Sequence, residues 1–347
     1  MSRVLVGMSG GVDSAVAAAL LIEQGHDVTG AFMKNWTLDV PGSRCPWADD
    51  LASAKRTAVR LGIDFLVFDF QDAYKRSVVD YLVDEYRAGR TPNPDVMCNQ
   101  EVKFGLFLDA ALEAGFDAIA TGHYARSEGG VLKRAADGHK DQTYFLYRMT
   151  RRAVERTLFP LGGLDKAQVR QIAEERGLPS AARPDSQGIC FVGEAGIREF
   201  LRMYVPLKPG DIVDAETGAV LGRHDGAIFF TIGQRKGLDI GGGPARYVVA
   251  KDMATNTVLV SADKSLLRQP EGLLRLDRCS WVSGEEPAPG AYLVRTRHTG
   301  PLIPARLEPA GDGRFSVSIE GTYERVAPGQ SVVVYRDDAC LGGGIAC

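Results

Sequence analysis

No apolar stretch of the 347-residue sequence approaches the roughly 20 residues that a membrane-spanning helix needs, so no such helix is expected. Basic charge is not in excess: 41 Lys and Arg stand against 44 Asp and Glu, for a net charge of −3. A global positive field that would advertise a nucleic-acid binder is therefore missing, and any RNA contact must come from local patches. Cysteine is sparse. Cys45, Cys98, Cys190, Cys279, Cys340 and Cys347 lie far apart, without the close pairs of zinc sites or thioredoxin motifs. In a reducing compartment such thiols stay mostly free. The opening MSRVLVGMSGG runs straight into a strand-like segment with no room for an export peptide, so the cytoplasm is the expected location.

What is present divides by rhythm. From residue 3 to about 125, short apolar runs alternate with helix-periodic segments. RVLVGM, HDVTGAFM, DFLVFDF and FDAIATGHY read as strands. DSAVAAALLIEQG, WADDLASAKRTAVRLG, AYKRSVVDYLVDEYRAG and EVKFGLFLDAALEAG read as helices. Buried strands separated by helices predict an α/β, Rossmann-like parallel sheet covered on both faces. Residues 140–204 add mostly helical material such as DKAQVRQIAEERG, broken by the loop SAARPDSQGICFVGE. Beyond Pro206 short strands and Gly, Asn and Asp turns take over, GAIFFTIGQRKG and QSVVVYRDDACLGG among them. The expected division is 1–204, 205–269 (a small β-rich unit) and 270–347 (a β-barrel).

Between the first strand and first helix stands SGGVDS, Ser9–Ser14. Gly10 and Gly11 allow a tight turn and close approach of a ligand, and a helix start presents free N–H groups and a positive dipole end. Ser9 and Ser14 supply hydroxyls for phosphate, and Asp13 a carboxylate that helps hold Mg²⁺. The loop is neither GxxxxGK[ST] nor GxGxxG, which weakens Walker-type and nicotinamide readings. In this position it resembles the pyrophosphate loop of PP-loop ATP pyrophosphatases, which cleave ATP between the α and β phosphates and activate a carbonyl or amide oxygen as an adenylate. A nucleophile must then displace AMP.

The stretch TPNPDVMCNQEVKF offers one. Asn93 and Pro94 are a helix-start signature, with Asp95 in the first turn and Cys98 one turn later on about the same side. A helix start lowers a thiol's pKa and a nearby carboxylate raises it. Two readings stay open on these residues: a small buried apolar filler beside a dipole-complementing carboxylate, or a reactive thiol with an acid–base partner. The first is the commoner. Cys190, in PDSQGICFVGE, lies in a Gly-containing loop where either an anchoring or a reactive role fits. His123 stands at a strand end where ligands gather, which favours a function over a merely structural place; Lys140-Asp141-Gln142 reads equally as an ordinary helix start, and Arg148, Arg151, Arg152 and Arg156 as a solvated face or a phosphate stripe. Trp36 and Trp47 read as core.

The blocks GMSGGVDSAV, MKNW, TPNPDVMCNQEVKFG, ATGHYAR, KDQTYFLY, DSQGICFVGE, TIGQRKGL and PGQSVVVY occur in one order, and over essentially its whole length the chain resembles the bacterial tRNA-specific 2-thiouridylase family. The resemblance implies ATP-dependent 2-thiolation of the wobble uridine (U34) of tRNA of the Lys, Glu and Gln types, with Mg²⁺. It implies an ATP site of Gly7, Met8, Ser9, Gly10, Gly11, Val12, Asp13, Ser14, Met33 and Gly122. Cys190 would carry a persulfide received from a sulfur-relay protein or cysteine desulfurase, with Cys98 as second thiol and Asp95 as general acid/base. Turnover would end in a Cys98–Cys190 disulfide. Asn93, Pro94 and Asp95 would meet the target base, and His123, Lys140, Asp141, Gln142, Arg297, His298 and Gln330 the tRNA. The family often fills position 298 with another residue. Two rivals carry different needs: a carboxylate-activating PP-loop ligase, which requires no paired thiols, and a non-catalytic nucleotide-binding module, which requires no added β units.

Overall fold

The computed structural model describes residues 1–40, 44–184, 196–269 and 271–347. Its N-terminal half opens with β1 (Arg3–Gly7), α1 (Val12–Glu23), β2 (Asp27–Lys34), α2 (Trp47–Leu61) and β3 (Phe65–Asp69). Helices α3 (Gln71–Tyr74), α4 (Asp80–Arg87), α5 (Pro94–Met97) and α6 (Phe107–Glu113) follow, then β4 (Ala118–Ala120), β5 (Ala125–Glu128) and β6 (Val131–Arg134). Helices α7 (Thr143–Leu146) and α8 (Arg151–Glu155), strand β7 (Thr157–Leu158), α9 (Lys166–Glu175) and α10 (Gly196–Arg202) complete it. The sheet order is β3-β2-β1-β4-β7, all parallel. The alternation of a strand's side chains explains its two-sided burial: Leu5 faces Phe104, Phe107 and Leu108, while Val4 and Val6 face Ala18, Leu21 and Ala54. The expected α/β half is the one found.

Two helical stretches are wound more loosely. Lys75–Val79 and Cys98–Leu106 are π-helical, the second continuing α5 into α6. Bonding to the fifth residue widens the turn, and Gly105 permits it here: a Cβ at that position would stand 2.9 Å from the carbonyl oxygen of Gln100, five residues back.

The middle of the chain forms β8 (Gly210–Asp214), β9 (Val220–His224), β10 (Tyr247–Asp252) and β11 (Thr257–Ser261), ordered β10-β11-β8-β9. GAIFFTIGQRKG, expected as a strand, is instead a 3₁₀ turn at Ala227–Phe229 followed by turns through Gly233 and Gly237. Ala227, Ile228, Phe229 and Phe230 are all buried, in a cluster with Tyr74, Val78 and Phe200. Four consecutive buried side chains need a curled backbone, because a half-open strand would expose every second one.

The last third holds β12 (Arg268–Gln269), β13 (Gly272–Trp281), β14 (Gly290–Arg295), β15 (Ile303–Gly311), β16 (Arg314–Ile319), β17 (Tyr323–Glu324), β18 (Ser331–Arg336) and β19 (Ala339–Ala346). Strands β13-β16-β15-β14-β18-β19 run in that order and β19 returns to β13, closing a six-stranded barrel around Leu276, Val294, Leu307, Phe315, Val317 and Val332. QSVVVYRDDACLGG is thus two strands, turned at Asp337 with φ of 55°. The barrel also carries a piece of the other half: the β5–β6 hairpin, turned at Gly129-Gly130, pairs with β19 through Lys133 and Ala339. No strand was expected at β6.

Buried ion pairs lock the halves together. Arg295, on the barrel, donates to the Asp141 carboxylate at 2.7 Å, and both side chains are buried. Glu85, likewise buried, accepts from Arg90 at 2.6 and 2.8 Å and from the barrel's Arg278 at 3.0 Å. The arginines of α8 and its flanks are engaged by protein groups: Arg151 with Glu155, Arg152 with Asp109, Arg156 with the Asp117 carbonyl, and Arg148 with Gln100 and the Arg278 carbonyl. That arrangement favours the structural reading of these four over a phosphate stripe.

Candidate functional site

The turn from β1 into α1 is braced before any ligand arrives. Gly10 adopts φ of 82°, and a Cβ there would stand 2.4 Å from the Asp50 carbonyl oxygen. Its own carbonyl accepts from Ser53 Oγ and Arg183 Nη1, each at 2.9 Å, and Arg183 also pairs with Asp50 at 2.8 Å. Ser14 Oγ accepts from the Ser9 amide at 3.2 Å and donates to the Gly11 carbonyl at 3.2 Å. Helix α1 has no side-chain cap at Gly11, so its first-turn N–H groups point outward for an anion. The space beside Gly11 is open, with only Ser9 Oγ at 3.5 Å from an added Cβ. Met8 and Val12 are buried, so each offers only backbone to this space.

Asp13 differs from its expected role in part. Its Oδ1 accepts from Lys166 Nζ at 2.6 Å and from the Tyr124 hydroxyl at 2.9 Å. Among the described residues no group of three or more His, Cys, Asp or Glu side chains stands ready for a metal. One carboxylate and two hydroxyls still fit Mg²⁺, which keeps several waters and leans on substrate phosphates. Gly122, past the end of β4, presses on this helix start: a Cβ there would stand 2.7 Å from the Asp13 carbonyl carbon and the Ser14 nitrogen. Met33, at the end of β2, packs against Gly7.

A second helix start packs against the same sheet, with Val96 beside Leu5, Ala31 and Met33. Asn93 is extended and Pro94 opens α5, as the sequence signature requires, although Asn93 caps through no side-chain bond of its own. Asp95 is held above the usual carboxylate range by burial, which disfavours its charged form; the Lys103 ammonium opposes this. Cys98 is only 4% exposed and packs with Trp36, Tyr74, Val78 and Val102. His123 shares a hydrogen bond of 2.8 Å with Thr121 Oγ1 and lies tilted against Phe104, ring centroids 5.6 Å apart. Burial, aided by Lys103, keeps its imidazole neutral well below the usual value. Cys190 lies outside the described residues.

The residues expected to meet tRNA fall into two kinds. Arg297 is exposed and pairs with Glu324 at 2.5 Å; Gln330 donates to the Thr91 carbonyl at 2.6 Å. Both line a cavity of about 720 Å³ between the middle sheet and the barrel, with Tyr247, Lys264, Arg268 and Arg325. Thr91 also meets Thr231 Oγ1 at 3.4 Å, and its amide donates to the Pro328 carbonyl, so the segment leading to Asp95 touches all three parts of the chain. Lys140 is half-buried at the turn following Asp137. Asp141 and Gln142 face inward: Asp141 is 1% exposed and ion-paired, and Gln142 Oε1 accepts from the Tyr124 amide at 2.8 Å. A side-chain contact from Asp141 to RNA does not fit this burial, and the carboxylate serves the domain junction instead. His298 packs on Phe145 at 4.4 Å between centroids, and its Nδ1 has no hydrogen-bond partner among the described residues. Three side chains at the site escaped sequence reasoning: Lys166, Arg183 and Lys103. Only Lys103 carried a local signal, its place in MCNQEVKF, and α-helical spacing hides which way it faces.

Comparisons with known proteins agree over the full length. Residues 2–194 match the family described as tRNA methyl transferase HUP domain, 198–262 its PRC-barrel domain, and 271–346 the aminomethyltransferase beta-barrel domain. The tRNA-specific 2-thiouridylase MnmA of Idiomarina loihiensis is 47% identical, covering 99% of this chain and 95% of that protein. That of Chromobacterium violaceum is 46% identical over 99% of this chain and 91% of its own. More distantly, a 4-thiouridine synthetase solved with RNA and bound ATP matches with a TM-score of 0.38 at 18% identity, covering 58% of this chain and 50% of that one. The chain belongs to the tRNA-specific 2-thiouridylase MnmA family.

Proposed function

We propose that the protein is a tRNA-uridine 2-sulfurtransferase that uses ATP and Mg²⁺ to convert the wobble uridine (U34) of tRNA to 2-thiouridine. The observation that carries this reading is an uncapped, phosphate-ready helix start after β1 together with a second helix start, bearing Asp95 and running into Cys98, whose Val96 packs with Leu5, Ala31 and Met33 of the same sheet. Backbone from Gly7 to Ser14, with Met33 and Gly122, would hold the nucleotide, and Ser9, Ser14 and Asp13 would help hold Mg²⁺. Bound there, the metal would draw charge from the phosphates.

In the first step the uracil O2 attacks the α-phosphorus, the bond to the β-phosphate oxygen breaks, and pyrophosphate leaves with the electron pair. The N3 proton passes to Asp95, whose raised proton affinity suits a base that must hold a proton and return it. The terminal sulfur of a Cys190 persulfide then adds to C2, AMP leaves with its oxygen, and the proton returns to N3. Cys98 attacks the Cys190 sulfur, releasing the thiocarbonyl and forming the Cys98–Cys190 disulfide; alternatively Cys98 first liberates hydrosulfide, which attacks C2. In both routes the two thiols are oxidised, the transferred sulfur is reduced, and an external thiol regenerates the enzyme. The 4% exposure of Cys98 means that its sulfur meets the substrate only after local rearrangement.

The tRNA would lie along the cavity lined by Lys264, Arg268, Arg297, Arg325 and Gln330, which gathers cations in a chain of net charge −3. Lys, Glu and Gln isoacceptors are the proposed substrates, and a sulfur-relay protein or cysteine desulfurase the proposed donor. The reading places the work in the cytoplasm, and no helix among the described residues is long and apolar enough to cross a membrane. Mass spectrometry of nucleosides from tRNA incubated with the protein, ATP, Mg²⁺ and a persulfide source tests it. Appearance of 2-thiouridine only with the complete mixture is expected; its absence, with Cys190→Ser equal to wild type in ATP turnover, would point to the carboxylate-activating rival.

A further inference from the structure

The MCNQEVKF stretch holds a charged side chain that the scheme above leaves unused. Lys103 is half-buried, yet among the described residues no hydrogen bond or ion pair holds its ammonium. Asp95, equally half-buried, also has no hydrogen-bond partner there. Two opposite charges left half-desolvated and unbonded cost stability, and such groups gather where a substrate completes the set.

The backbone explains how they come to face each other. In an α-helix, positions 95 and 103 diverge by most of a quarter turn at about 100° per residue. Over the π-helical Cys98–Leu106 each residue turns by less than about 100°, and this wider winding brings Lys103 back to the side of Asp95. Helical Cα–Cβ bonds tilt toward the N-terminus, so the long lysine stem runs back along that face toward Asp95. The neighbouring Phe104 packs on His123, next to Gly122, which abuts Asp13 and Ser14 at the start of α1. The turn that carries Lys103 is thereby joined to the nucleotide end through Phe104, His123 and Gly122. The Lys103 charge acts on both Asp95 and His123, and it is the charged group that acts on Asp95.

We propose that Lys103 is a further catalytic residue, whose ammonium donates hydrogen bonds to the α-phosphoryl and bridging O2 oxygens as they gain negative charge. Resting on the thiolation reading, this assigns the lysine two effects. It stabilises charge that is greater in the transition state than in the bound substrates, and it keeps Asp95 ionised enough to accept the N3 proton. A neutral His123 beside it leaves the ammonium as the local cation.

The test uses the full-length protein with Lys103→Met and Lys103→Arg, and Lys103→Gln should the methionine variant not fold. Tm values close to wild type are expected. For Lys103→Met, tRNA-dependent pyrophosphate release should slow about a hundredfold at saturation, with KM for ATP and tRNA nearly unchanged. The acidic limb of its pH profile should move to higher pH, because Asp95 loses the cation that opposes its burial. Lys103→Arg should recover much of the rate and the original profile. Wild-type pyrophosphate release in Lys103→Met, or a slow rate with an unmoved profile and no rescue by arginine, overturns the proposal while leaving thiolation intact. A wild-type protein that releases no pyrophosphate and makes no 2-thiouridine brings down the thiolation reading itself.

Discussion

The start of α1 offers backbone, and the start of α5 offers side chains. At α1 the polar groups bind one another: Ser14 ties Ser9 to Gly11, Lys166 and Tyr124 hold Asp13, and Arg183 and Ser53 hold the Gly10 carbonyl. What remains open are N–H groups and the space beside Gly11. At α5 the reverse holds. There, among the described residues, the half-buried Asp95 and Lys103 side chains have no hydrogen-bond or ion-pair partner. A site that must cradle a chemically constant polyphosphate is served by fixed dipoles that need no reorganisation. A site that must move a proton needs a group whose ionisation is finely balanced, and desolvation supplies the balance.

That contrast predicts where substitutions hurt catalysis and where they hurt binding. The largest effect is expected at α5: Asp95→Asn and Cys98→Ser should lower 2-thiouridine formation by about 10²–10⁴-fold while ATP affinity stays near wild type, read by nucleoside mass spectrometry and calorimetric titration. Retained thiolation in either variant would return Cys98 to the role of core filler. Next in size is the salt dependence of tRNA affinity. Four phosphate contacts in the basic cavity should weaken binding roughly a hundredfold as salt rises fourfold, and a flat titration would remove the cavity from the interface.

At α1 the two glycines should separate. Gly11→Val has open space and should fold normally, yet weaken ATP at least about tenfold by filling room the phosphates need. Gly10→Ala should instead lower Tm, since its Cβ meets the Asp50 carbonyl and its φ is left-handed. Equal ATP affinity for Gly11→Val and wild type would break the backbone reading of this end.

The smallest effect follows from the raised proton affinity of Asp95. A carboxyl whose folded pKa exceeds its unfolded value binds its proton more tightly when folded, so its contribution to stability falls as pH rises between the two values. Asp95→Asn removes that loss. Its Tm should therefore exceed wild type by about a degree or two at pH 8, with the gain vanishing below about pH 4. A lower Tm at pH 8 would show that the carboxylate is better satisfied than its surroundings indicate.

Much of this was written locally. Apolar runs such as VLVG and the Ala-rich helix after Gly11 require burial on both faces, so the parallel α/β half follows from short-range pattern. SGGVDS fixes a tight turn into a helix, and Asn93-Pro94 fixes a helix start, because capping is decided within four residues. Other features depend on partners far away in sequence. The β5–β6 hairpin is a strand pair because β19, more than 200 residues on, offers an edge to it. Asp141 reads as a polar helix-start residue until Arg295 and Thr143 enclose it. GAIFFTIGQRKG curls because two helices and a sheet close over four apolar side chains in a row. Lys103 is the sharpest case. The sequence places it eight residues from Asp95, and only the packing that tolerates a π-helical turn, with Gly105 clearing the Gln100 carbonyl, decides that the two share a face. Local sequence determined which segments become helix, strand and phosphate loop, since those depend on neighbours in the chain. Tertiary structure decided which side chains are buried and, among the described residues, which stand unpaired, since charge and burial depend on neighbours in space.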